Sequence, residues 1–109
     1  MTKNCLLLVY ENNPNVDIIK YLIEVCKMDI KVKTSNGNNC LLVACNSNSN
    51  INIIKYLIQD CKMNTNTKNF SNYNCLILAC WKNSNINVIK YLIEDLKMNV
   101  NLIDDYDDN

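Results

Sequence analysis

The chain has no histidine and no arginine, and its 109 residues include one glycine, one proline, one phenylalanine and one tryptophan. Without histidine the commonest general base is missing, and so are the Ser–His and Cys–His pairs of nucleophilic catalysis. A single glycine, Gly37, leaves no glycine-rich loop to cradle a phosphate. So few glycines and prolines also argue against a turn-rich β-fold. Eleven lysines balance 11 acidic residues, which leaves no basic stripe for nucleic acid. No apolar run approaches the roughly 18 residues of a membrane-spanning helix, and Leu6-Leu7-Leu8-Val9 is too short for the core of a signal peptide. Glu11, Glu24 and Glu94 have lysines nearby and read as solvated faces. No catalytic residue, cofactor, nucleic acid or membrane is therefore expected, and the chain reads as a non-enzyme.

Cysteine is plentiful, at seven residues. Cys5, Cys40 and Cys75 are spaced by 35, as are Cys45 with Cys80 and Cys26 with Cys61. Equivalent positions on stacked helices stand roughly 8–10 Å apart, too far for a disulfide. Reduced thiols serving as small apolar core groups in an intracellular, cytoplasmic protein are expected. A zinc site would need histidine or a Cys-x-x-Cys pair, and the chain has neither. Asparagine is also abundant, at 22 residues. Because Asn, Ile and Lys share AT-rich codons, coding bias is the first explanation, with Asn standing where Asp, Ser, Thr or Gly would otherwise be.

The dominant feature is a repeat of 35 residues. Asn4-Cys5-Leu6, Asn39-Cys40-Leu41 and Asn74-Cys75-Leu76 open three copies, and each later reaches Ile-Lys-Tyr-Leu-Ile, at 19–23, 54–58 and 89–93. Units 4–38, 39–73 and 74–108 follow, with residues 1–3 and 109 as termini. A fixed period of this size marks a solenoid, in which each unit buries its face on its neighbours. In unit two, Leu41, Ala44 and Cys45 make one face of a short helix. Asn46 to Ser49 interrupt it, and Asn50 is placed to cap a second helix carrying Ile51, Ile54, Leu57, Ile58 and Cys61. Pro14 sits in the matching turn of unit one, before the cap Asn15, and Asn85 caps unit three. Polar loops join the units, and Met28, Met63 and Met98 are placed to close the second helices. Asp104, Asp105, Asp107 and Asp108 read as a solvated tail.

The pattern resembles the ankyrin repeat over about residues 4–108. Asn39-Cys40-Leu41-Leu42-Val43-Ala44-Cys45 stands over the family's Thr-Pro-Leu-His-x-Ala-Ala, and Asn36-Gly37-Asn38 over its loop tip. Lys62-Met63-Asn64-Thr65-Asn66 and Lys97-Met98-Asn99-Val100-Asn101 stand over Gly-Ala-Asp-Val-Asn. The period is 35 rather than 33. One extra residue is placed in the interhelical turn and one at the end of helix two, where lysine replaces the family's glycine. Asn-rich, Cys-substituted repeats of this kind are similar in style to those of giant DNA viruses of amoebae and AT-rich protists. The resemblance implies an all-α, ankyrin-type helical-repeat solenoid of three helix-turn-helix units joined by extended polar loops. It also implies a non-catalytic protein-interaction module, which would lie in the host cytoplasm if the chain is viral. The alternative is a fragment or truncated remnant of a longer array, since Asn109 falls where a fourth unit would open.

Such arrays meet partners through loop tips and the exposed side of the first helix. Carried over, these are Lys33, Ser35, Asn36, Asn38, Lys68, Phe70, Ser71 and Tyr73 on the loops, and Glu11, Asn12, Asn46, Ser47, Trp81 and Lys82 on the helices. The last unit departs from the others. Trp81 replaces Glu11 and Asn46 of the other copies, and Phe70 and Tyr73 fall near it in the chain. Lys68, Phe70, Tyr73, Trp81 and Lys82 are the expected contact residues for an unidentified protein partner. Trp81 folding over the terminal unit is the competing reading. Tyr21, Tyr56 and Tyr91 recur in every copy and are expected to pack between units.

Overall fold

A computed structural model describes residues 5–12, 15–47 and 50–101, with Glu11 and Asn12 described in backbone alone. Pro14, Asn48, Ser49 and the acidic run from Asp104 to Asp108 lie outside the described residues. Among those described there is no strand. The first helices are α1 (Cys5–Asn12), α3 (Cys40–Ser47) and α5 (Cys75–Lys82). The second helices begin as α2 (Val16–Lys20), α4 (Ile51–Lys55) and α6 (Ile86–Lys90). Each runs directly into a π turn, Tyr21–Val25, Tyr56–Asp60 and Tyr91–Asp95.

Asparagine starts these helices. Asn15, Asn50 and Asn85 accept the N–H groups of Asp17, Asn52 and Asn87, each at 2.9 Å. Asn39 and Asn74 accept those of Leu42 and Ile77 at 2.9 Å. Each bond satisfies a donor that a helix N-terminus leaves orphaned. Cysteine completes the entry to the first helix: the Cys40 and Cys75 thiols donate to the Ile30 and Thr65 carbonyls at 3.5 and 3.6 Å.

The helix-two insertion appears in the backbone. Cys26, Cys61 and Leu96 donate five residues back, to Tyr21, Tyr56 and Tyr91, at 3.0, 3.0 and 3.1 Å. An i→i+5 turn holds one residue more than an α turn. The next residue then turns left-handed, with Lys27, Lys62 and Lys97 at φ 59, 60 and 60°. Met28, Met63 and Met98 follow, each donating its N–H at 3.0 Å to Leu22, Leu57 or Leu92. The sites that lysine takes over from the family's glycine are thus true positive-φ positions, strained for any residue with a Cβ.

The first helices form the main joints, α1 against α3 and α3 against α5. Cys40 through Cys45 are all buried, a wider surface than the Leu41–Ala44–Cys45 face expected. The cause is position: α3 has α1 on one side, α5 on the other and α4 beside it. Tyr56 and Tyr91 pack between units at 6% and 4% exposure, but Tyr21 is 57% exposed. The expectation of inter-unit packing therefore fails for the first tyrosine, which has no described unit before it. The same correction applies to the thiols. All seven are free, but only Cys40, Cys45 and Cys75 are buried; Cys61 is half-buried and Cys5, Cys26 and Cys80 are exposed.

Candidate partner-binding surface

The loops between units turn tightly at 34–38 and 69–73. Thr34 donates to Asn38 at 2.9 Å and Asn69 to Tyr73 at 3.0 Å. Each turn needs one left-handed residue, supplied by Gly37 at φ 83° and Asn72 at φ 67°. The two loops are tied together. Phe70 donates its N–H to the Asn36 carbonyl at 3.1 Å, and the Asn69 amide donates to Asn38 Oδ1 at 2.9 Å. The Phe70 ring lies over Gly37, so close that a Cβ there would stand 2.6 Å from it.

Loop tip and first helix meet in a groove. Ser35, Asn36, Asn38, Asn46 and Ser47, with Thr34, border a space of about 170 Å³ whose floor includes Leu7 and Val43. The Asn46 amide donates to Ser47 Oγ at 3.3 Å, while its buried Oδ1 has no hydrogen-bond partner among the described residues. Lys33 is not in this groove. It lines another, of about 470 Å³, with Ile30, Lys31, Lys62 and Met63.

One unit later the same positions change character together. Tyr73 stands where Asn38 does, and Trp81 where Asn46 does. Their rings meet edge to face, 5.6 Å between centroids at 85°, a geometry set by the ring quadrupoles. Lys82 Nζ lies 5.3 Å from the Trp81 ring centroid. Trp81 is still 63% exposed, and Phe70 68%. The structure thus brings Tyr73, Trp81 and Lys82 together. Phe70 is on the same loop but rests on Gly37, and Lys68 is half-buried at the loop's start.

Sequence reading missed a set of contacts at the joints. Tyr56 donates its hydroxyl to Glu24 Oε2 at 2.7 Å, and Lys20 Nζ lies 5.5 Å from its ring centroid. Tyr91 accepts from Gln59 Nε2 at 3.0 Å, with Lys55 Nζ at 5.3 Å. Lysine and Glu/Gln at i and i+4 of one helix clamp the tyrosine of the next unit. The recurrence of Lys20, Lys55 and Lys90 with Glu24, Gln59 and Glu94 was a signal for it. Thiols also meet across the joints, between different repeat positions: Cys40 lies against the Tyr10 hydroxyl and Cys75 against Cys45. Burial pushes the Cys40 thiol up to about 12 and raises the Tyr10 hydroxyl. The neighbouring Cys75 thiol, then burial, raises Cys45. Thiols raised in this way are protonated near neutral pH and are poor nucleophiles. Among the described residues, no helix is long and apolar enough to cross a membrane.

The comparisons agree with this geometry. A family model described as ankyrin repeats in three copies matches residues 6–104. The curated proteins give no match. Among solved structures, 51 chains match, so the architecture alone does not choose a partner. One is from a complex of a predatory endopeptidase of Bdellovibrio bacteriovorus with an immunity protein. It is 25% identical, with a TM-score of 0.76, and the match covers 94% of this chain and 51% of that one. The chain spans about half the length of that solved chain.

Proposed function

Since this chain belongs to the ankyrin-repeat family, whose members generally serve as protein-interaction modules, we propose that it is a non-catalytic protein-binding module. Its contact would centre on Phe70, Tyr73 and Trp81, framed by Lys68 and Lys82. The observation that carries the reading is the paired exchange of Asn38 and Asn46 for Tyr73 and Trp81 at matching places of successive units. The junction of units one and two, with Asn38 and Asn46, shows that the stack forms with asparagine at both positions. The aromatic pair is therefore additional to what stacking requires, and two large rings on an open face are typical anchors for a partner. The solved relative, found in a complex of an endopeptidase with an immunity protein, supports a protein as the ligand.

A partner recovered by pull-down from the cell of origin gives the test. Trp81→Ala is expected to weaken that complex by about 1–2 kcal/mol while the unfolding midpoint stays unchanged. Trp81 is the sole tryptophan, so its emission reports burial directly and should shift to the blue on binding. Unchanged affinity, or affinity lost only through unfolding, would reject the site and favour a packing role for Trp81.

A further inference from the structure

Among the described residues, the outer faces of units one and three carry the two halves of the joints built between the units. At each interior joint the later unit brings a tyrosine and a thiol. The earlier unit brings a lysine with Glu or Gln one turn on, and a residue that meets the thiol. Tyr56 enters Lys20 and Glu24, and Tyr91 enters Lys55 and Gln59. Cys40 meets Tyr10, and Cys75 meets Cys45.

The later-unit set recurs, uncovered, on unit one. Cys5, Leu8, Ile18 and Tyr21 are exposed, while their counterparts Cys40, Val43, Ile53 and Tyr56 are buried, as are Cys75, Leu78, Val88 and Tyr91. The earlier-unit set recurs, uncovered, on unit three. Cys80 and Ile86 are exposed there, while their counterparts Tyr10 and Cys45 are buried and Val16 and Ile51 half-buried; Lys90 and Glu94 are exposed as Lys20 and Glu24 are at a filled joint. Ile77, Cys80, Trp81, Ile93 and Val100 line an apolar groove of about 430 Å³, although Leu7 and Leu42, the counterparts of Ile77, are buried. Among the described residues, Tyr21 has no clamp around it, and Lys90 and Glu94 form one of the same chemistry as that which holds Tyr56.

We propose that the open face of unit three binds unit one of a second copy of this chain, head to tail. Tyr21 of the incoming copy enters between Lys90 and Glu94, and its Cys5 comes to rest against Cys80. The contact continues the joints already built between units one and two and between units two and three. Its two faces differ, so it is heterologous, and because it continues the stacking of the solenoid it extends as an open array; oligomers lengthen with concentration instead of stopping at a dimer.

Sedimentation of the 109-residue chain under reducing conditions tests this with two variants, each blocking one face. Tyr21→Asp removes the ring and sets a carboxylate against Glu94. Ile86→Asp puts a charge at the rim of the other face, in the first turn of α6, where an acidic residue suits the helix N-terminus. The parent is expected to gain mean mass with concentration, and each variant alone to stay monomeric with an unchanged helical spectrum. An equimolar mixture should form a one-to-one dimer and nothing larger, because each variant keeps the face the other lacks. A parent that stays monomeric at all concentrations overturns the proposal. So does association that survives in either variant, which would place the contact elsewhere or make it symmetric, and so does a mixture that fails to dimerise. Diamide supplies a second readout. Two thiols lose two protons and two electrons to it, giving a disulfide and the corresponding hydrazine. Peptide mapping should find Cys5 joined to Cys80 between chains, with the bond absent in Cys5→Ser and in Cys80→Ser. An intermolecular Cys26 disulfide as the sole product would count against the register.

Discussion

Tyr21 and Tyr56 lie in the same five-residue context, Ile-Lys-Tyr-Leu-Ile, on the same kind of helix with the same asparagine cap. Tyr56 is nonetheless nearly covered, with its hydroxyl on Glu24, and Tyr21 is mostly open. Nothing within either unit accounts for the difference. The neighbour does: unit one lies before Tyr56 and covers it. In this stack, burial belongs to the joint, so identical residues have different energetic weight according to their place along the array.

The sharpest break of that comparison is Tyr56→Ala. It removes a buried ring from the first joint and should lower stability by about 3–5 kcal/mol, read as a fall in the denaturant midpoint. Tyr21→Ala, the same change in an uncovered unit, should cost less than about 1 kcal/mol at a concentration where the chain is monomeric. Equal losses would mean that the tyrosine acts within its own helix and not across the joint.

Alkaline titration reads the burial of Cys40 at the first joint. An unfolded cysteine ionises near its ordinary 9.0, while the folded Cys40 is held up to about 12. Between those values the unfolded chain binds fewer protons than the folded one, so stability falls as pH rises. It is fully present below about pH 9 and declines by up to about 1.4 kcal/mol per pH unit for each such thiol. Cys40→Ala should flatten the dependence of the midpoint on pH between about 9 and 11. A disulfide reagent added to the native protein should find Cys5, Cys26 and Cys80 quickly, and Cys40, Cys45 and Cys75 only on opening.

The smallest effect should ignore the comparison altogether. Lys27, Lys62 and Lys97 share one left-handed backbone geometry, and glycine at any of them should raise stability by about 0.5–1 kcal/mol. Three equal gains would separate a strain that resides in the unit from burial that resides in the joint. A gain at Lys62 alone would show that the two are linked.

These distinctions mark how much was legible in the sequence. The period, the helix pairs and the caps Asn15, Asn50 and Asn85 follow from spacing and residue type. So does a cost at the lysines that stand in for glycine. Coding bias explained the number of asparagines but not their placing; at 39, 50, 74 and 85 they hold helix starts, and at 72 one takes a left-handed turn. The π turns were hidden because a helical wheel assumes a constant rotation per residue. The Cys45–Cys75 contact was hidden because it joins two different repeat positions, which alignment of the copies keeps apart. At the surface, Tyr73 and Trp81 were legible as departures from the template, and their mutual contact follows from loop and helix converging. The seat of Phe70 on Gly37 was not, since it depends on how far one loop leans over the last.

That seat makes the loop tips mechanically interdependent. The chain's sole glycine is the bearing on which an exposed aromatic ring of the next unit rests, and the backbone bond from Phe70 to Asn36 fixes its height. A methyl group at residue 37 would occupy the ring's place and would strain a backbone already at φ 83°. Gly37→Ala, a change in unit one, should therefore tilt Phe70 of unit two and reshape the proposed contact surface from a neighbouring loop. Adjacent loops behave as one gauge whose spacing is set from below, so a change in one loop is carried into the next.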